Sequence, residues 1–214
     1  MLGYRFADRR LLIRALTHKS AASQNNERLE FFGDAVLGYL VADMLYSQAQ
    51  AGEDTMTLMR ASLVKRDSLA QLAREVGLGD CIILGMGEKR SGGHQRASIL
   101  ADAFEAVLGA IHCDGGIEPV RNLVEALVGP RMRALDPNAI KDPKTLLQEK
   151  LQGGGFGLPR YEVAELTGAE HRRTFTVRCM VTELELMVEA QGQSRRAAEK
   201  TAALAMLERI AERG

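Results

Sequence analysis

Five carboxylates in this 214-residue chain have types and spacing that could do chemistry. Asp102 and Glu105 interrupt the run ILADAFEAVLGAIHC (99–113), which is otherwise almost wholly apolar. A helix that is apolar all round is a buried helix. A buried carboxylate is costly unless it is paired, hydrogen-bonded or bound to a metal. The i, i+3 spacing puts both acids on one helical face. Glu27, Glu30 and Asp34 form a second group in NERLEFFGDAVL (26–37). At 3.6 residues per turn they fall within an arc of about 60°, roughly opposite Leu29, Phe32, Val36 and Leu40. A solvated face would mix Lys with Glu at i, i+4, and this stripe carries no base. Taken alone, three acids on an amphipathic helix also describe an ordinary surface; beside a second acidic pair they suggest a cation site. Clustered like charges raise each other's pKa, and a divalent cation removes that penalty. An oxygen-only donor set without His or Cys suits Mg²⁺ or Mn²⁺ rather than zinc. The chemistry implied is metal-assisted attack on a phosphodiester.

Helices must position these acids, and helical periodicity dominates the first two thirds of the chain. The pattern predicts helices over 9–15, 27–47, 56–76, 98–114 and 117–134, with ends marked by Gly77, Gly79 and Gly115–Gly116. A stretch with two Asp-Pro steps and no periodicity, 134–144, reads as a linker. Beyond it the period changes. A short helix is expected over 145–152, a Gly-rich loop with Pro159 follows, and strands are expected over 161–167, 174–181 and 184–190. An Ala-rich helix over 194–213 closes the chain. In the middle strand Phe175, Val177, Cys179 and Val181 share one face. The fold class is therefore multidomain: an all-α domain, 1–135, a linker, 136–143, and a small α+β domain of order α-β-β-β-α, 144–214, with both helices on one face of an antiparallel sheet.

Composition narrows the setting. Basic and acidic residues balance at 28 each, so any nucleic-acid surface must come from local clustering. One such cluster lies at the last helix: Ser194 is a good N-cap, and Arg195, Arg196 and then Lys200 follow. Cations oppose the dipole at a helix N-terminus; a phosphate there would reconcile them, and two solvated arginines are the plain alternative. His171 with Arg172 and Arg173 forms a second basic group. Three scattered cysteines make no metal or redox motif, and Cys113 and Cys179 read as reduced core residues. With no signal-peptide pattern near the start and no membrane-length apolar run, a cytoplasmic protein without membrane association is expected. The Gly87–Gly93 loop with His94 and Arg96 looks mobile and basic, and a plain surface loop is its simpler reading. His18 and His112 read as structural.

The motifs together resemble a known family. NERLEFFGDAVL is similar to the signature of the ribonuclease III family, endonucleases specific for double-stranded RNA. LADAFEAVLGA (100–110) resembles the family's second acidic motif, and DPKTLLQEKLQ (142–152) through SRRAAEKTAA (194–203) resembles a double-stranded-RNA-binding domain. The resemblance implies a helical, homodimeric nuclease domain that needs Mg²⁺, with Mn²⁺ able to substitute. It implies cleavage of both strands to 5′-phosphate and 3′-hydroxyl ends with short 3′ overhangs, in ribosomal RNA precursors and other structured transcripts. By this resemblance Glu30, Asp34, Asp102 and Glu105 are metal ligands, and Asp34, Glu105 and Glu27 are catalytic. Glu53 matches more loosely an acid that approaches from across the dimer. Gln148 and Glu149 match minor-groove contacts, His171 a second minor-groove loop, and Arg195 and Arg196 phosphate contacts, with Lys200 beside them. Two departures stand out. Phe32 replaces a common Leu, and Glu199 stands where the general binding motif has a third base, a loss that Lys200 partly makes good. A double-stranded-RNA-binding regulator that does not cleave is the alternative function.

Overall fold

The computed structural model describes residues 3–168 and 173–213, without the side chains of 138 and 139. The chain divides into two compact units, Met1–Ile140 and Lys141–Gly214.

The first unit is helical: α1 (Arg9–Leu16), α2 (Glu27–Gln48), α3 (Glu53–Val64), α4 (Arg66–Glu75), α5 (Met86–Arg90), α6 (Ala97–Gly115), α7 (Ile117–Ala134) and α8 (Pro137–Ile140). Its centre is α6, whose apolar residues from Leu100 to Ile111 are buried almost without break, as an all-round apolar helix requires. α1, α2, α4 and α7 pack around it, adding Ala15, Leu37, Leu40, Leu69, Leu72 and Val124 to one continuous core. The α2–α6 contact is exceptionally close. A Cβ at Gly33 would lie 1.8 Å from the backbone oxygen of Glu105, and one at Gly109 would lie 2.3 Å from that of Leu29. Glycine at both positions lets the two backbones touch.

Several expectations are corrected. The single helix expected over 56–76 is two helices, α3 and α4, broken at Lys65, whose backbone is extended (φ −63°, ψ 149°). Buried Met59 and Leu63 belong to one stripe, and Leu69 lies six residues on, about 240° around a continuous helix; with the break, α4 buries Leu69 and Leu72 as well as Ala70 and Ala73. The Gly87–Gly93 segment is not an open loop. It carries α5 and abuts a 3₁₀ turn over Gly93–Gln95, and Arg96 ties it down through Glu88 at 3.0 Å. Part of the expected linker forms α8. Cys113 is exposed rather than buried, because the last turn of α6 leaves the core.

The second unit has the expected order: α9 (Pro143–Gly153), β1 (Arg160–Thr167), β2 (Thr174–Val181), β3 (Leu186–Gly192) and α10 (Arg195–Ala211). The strands form an antiparallel sheet in the order β1-β2-β3, with Cys179 opposite both Tyr161 and Val188. The third strand begins two residues later than expected, because Thr182–Leu184 form a 3₁₀ turn that Glu185 leaves at φ 51°. Leu147 and Leu151 of α9, Cys179 and Val181 of β2, Leu186 of β3, and Ala202, Ala203 and Met206 of α10 make its separate core.

Candidate active site

The α2–α6 crossing sets the geometry of the acids. Gly33 lies between Glu30 and Asp34 on one helix, and its close partner is the backbone of Glu105 on the other. Because the backbones touch there, Glu30, Asp34, Asp102 and Glu105 open into one pocket, together with Phe31, Ala101 and Arg66. Glu30, Asp102 and Glu105 come closest: one oxygen from each lies within 4.8 Å of the others, and all three side chains are half-buried. Asp34 stands in the same pocket but is more exposed and falls outside this tight group. Glu27 is exposed and turned to Lys19, which donates to its carboxylate at 3.1 Å.

The electrostatics match the crowding. Glu105 is pushed up to about 8, by burial first and then by the charges of Asp34, Asp102 and Glu30. Burial also raises Glu30, with Asp102 and Glu27 adding to it. Burial raises Asp102 too, while Arg66, His18 and Lys19 pull it back. Three half-buried oxygens without a nitrogen or sulfur donor form a hard donor set that fits a divalent cation such as Mg²⁺ or Mn²⁺. The arrangement could hold such an ion and bring a phosphodiester to it.

Sequence reasoning passed over two kinds of residue here. Gly33 and Gly109 decide how near the acids stand, and their signal was glycine inside a helical apolar pattern. Lys19 and Arg66 supply positive charge beside the acids. A short parallel bridge between Thr17 and Ile83 fixes the segment that carries His18 and Lys19. His112, read as structural, packs edge-on against Phe32 at 4.9 Å. Glu53 lies away from the carboxylate pocket, in a depression with Tyr46, Met56 and Arg60.

In the second unit Gln148 and Glu149 are exposed on α9, and Glu149 accepts from Lys141 at 2.9 Å. Arg195 and Arg196 open α10 behind the Ser194 cap, whose hydroxyl accepts from the Ala197 amide. Lys200 pairs with Asp142 at 2.8 Å. His171 lies outside the described residues.

A helical unit with a half-buried carboxylate pocket, followed by an α-β-β-β-α unit, has the architecture expected of a nuclease joined to a double-stranded-RNA-binding domain. Comparison with known proteins agrees domain by domain. A family model described as "Ribonuclease-III-like" matches residues 8–131, and the "Double-stranded RNA binding motif" matches residues 143–210. A protein named "Ribonuclease 3" from Nitrosococcus oceani is 51% identical over 208 residues, covering 94% of this chain and 88% of its own length. The nuclease domain of ribonuclease III from Campylobacter jejuni, whose structure shows flexibility in a region involved in dimer formation, is 44% identical with a TM-score of 0.58, over 60% of this chain and 92% of its own. A Dicer from Pichia stipitis is 26% identical with a TM-score of 0.50 over 96% of both chains. The chain belongs to the ribonuclease III family, the endoribonucleases of double-stranded RNA. Among the described residues no helix is long and apolar enough to cross a membrane.

Proposed function

We propose that the chain cuts both strands of an RNA duplex with Mg²⁺ as its resident cation, leaving 5′-phosphate and 3′-hydroxyl ends with short 3′ overhangs. One observation carries this reading: Glu30, Asp102 and Glu105 converge within 4.8 Å at the α2–α6 crossing, in a chain that also carries a double-stranded-RNA-binding domain. Glu30, Asp34, Asp102 and Glu105 would hold the cation, and Mn²⁺ would be accepted by the same oxygens. When bound, the cation supplies charge stabilisation to the phosphate and makes a coordinated water more acidic. The carboxylates do the rest. Glu105 would have to be deprotonated to hold the cation. Asp34, the most exposed of the four, would orient the attacking water. Glu27, held by Lys19, would act beside the pocket, near the incoming backbone. Gln148, Glu149, Arg195, Arg196, Lys200 and His171 would meet the duplex, through minor-groove edges and phosphates.

The protein is further proposed to act as a homodimer through its nuclease domain. Support comes from α2, where Phe31, Phe32, Tyr39 and Tyr46 fall within an arc of about 100°; Phe31 and Tyr46 are 81% and 82% exposed. Exposed aromatic residues on one helix face are a usual mark of an interface. Its substrates would be ribosomal RNA precursors and other structured transcripts, met in the cytoplasm. The test is incubation of the full chain with structured RNA and Mg²⁺, with 5′ and 3′ ends mapped. Staggered cuts are expected. Retention of the RNA without cleavage would instead mark a binding protein.

A further inference from the structure

Glu199 replaces a base expected in the general RNA-binding motif, yet it is one of the most enclosed charged groups of its unit, only 9% exposed. One carboxylate oxygen accepts from Lys144 Nζ at 2.6 Å and the other from Arg195 Nε at 2.9 Å. Lys144 is itself placed on two sides. Its backbone amide donates to Asp142, the N-cap of α9, at 3.0 Å, and its Nζ lies 4.6 Å over the ring centre of Tyr161. The other Asp142 oxygen pairs with Lys200 of α10 at 2.8 Å. Two ion pairs of opposite sense, Lys144–Glu199 and Asp142–Lys200, thus cross between the N-terminal ends of α9 and α10. Among the described residues Arg195 bonds to the brace through Nε alone, which leaves its two Nη groups for a phosphate.

We propose that Glu199 is a positioning residue for RNA binding, which braces α10 against α9 so that Arg195 meets a phosphate in fixed register with Gln148 and Glu149 in the minor groove. The proposal rests on the reading of these residues as the RNA-facing surface. It opposes the expectation from net charge. A carboxylate beside a phosphate backbone repels it, so its neutralisation alone would tighten binding and steepen the salt dependence.

The test is binding of the full chain to a labelled RNA duplex of about 20 base pairs, longer than the roughly 16 spanned by one such domain. It is run in EDTA, so that nothing is cut, over a range of salt. Glu199→Gln should bind about five- to tenfold more weakly at about 0.15 M salt, of the order of one charge-assisted contact, with a salt slope no steeper than wild type. Arg195→Ala should weaken binding by a similar factor, and adding Glu199→Gln to it should change little, because the brace acts through Arg195. Binding by Glu199→Gln equal to or tighter than wild type overturns the proposal. So does a loss that persists undiminished in the Arg195→Ala background, since that marks a general packing defect. If Arg195→Ala binds like wild type, the surface reading itself has failed; if it weakens while Glu199→Gln does not, only the role of Glu199 has.

Discussion

Glu105 is the residue on which the site turns, because burial and three neighbouring acids push it up to about 8 from an ordinary 4.5. In metal-free protein the folded chain keeps a proton between these values that the unfolded chain has lost. Its contribution to stability is therefore complete below about pH 4.5 and declines as pH rises through about 8, by at most about 1.4 kcal/mol per pH unit for one proton. Glu30 and Asp102, also raised, act in the same direction. A cation needs the deprotonated carboxylates, so stabilisation by Mg²⁺ should grow over the same interval. Thermal melts from about pH 5 to 8, with EDTA and with Mg²⁺, should diverge, and Glu105→Gln should narrow the gap. A metal-free protein that gains stability from this site as pH rises would contradict the assignment. Asp102 and Glu105 were legible in the sequence because an apolar background makes acids conspicuous. The Lys19–Glu27 pair was not, since Lys19 precedes α2 by eight residues and no periodicity joins them.

Among the elements, α2 and α6 decide whether the acids meet at all. Gly33 and Gly109 let them touch, and a methyl group at either position forces backbone apart, at a cost of about 1–3 kcal/mol for overpacking and more if the helices cannot shift. Gly109→Ala should lower the melting temperature and also reduce the added stabilisation by Mg²⁺, because Glu30 and Glu105 move apart. An unchanged Mg²⁺ response in a destabilised variant would show that the crossing does not set the site. Helix and strand identity was largely readable from period: α7 and β2 match the expected bounds, and most others shift by one or two residues. The break at Lys65 was not readable, having neither Gly nor Pro. It follows from tertiary packing, which needs Leu63 and Leu69 buried although they lie out of phase.

At the scale of the molecule, two separate cores explain a division of labour between cutting and holding. Deletion of residues 141–214 should weaken duplex binding most at physiological salt, where phosphate contacts are already screened, while the first unit keeps its fold. The aromatic stripe on α2 predicts that Tyr46→Asp, at 82% exposure, shifts the chain from dimer to monomer in light scattering at micromolar concentration with little loss of secondary structure. A wild type that is monomeric at every concentration would remove the dimer from the account. Two-domain order was visible from the change of period near 140; the exposed aromatic face of α2 was not, because Phe and Tyr in a helical pattern look like core until a structure leaves them uncovered.

Glu30, Asp34, Asp102 and Glu105 are proposed to form the cutting site. The most direct test of this is cleavage of a perfect RNA duplex by wild type and Glu105→Gln, with Mg²⁺ and with EDTA, alongside binding of the same duplex. Wild type should cut with Mg²⁺ and stop with EDTA, and the variant should bind comparably while cutting at least about 100-fold more slowly. Cleavage by the variant at the wild-type rate, or by wild type in EDTA, would contradict the account.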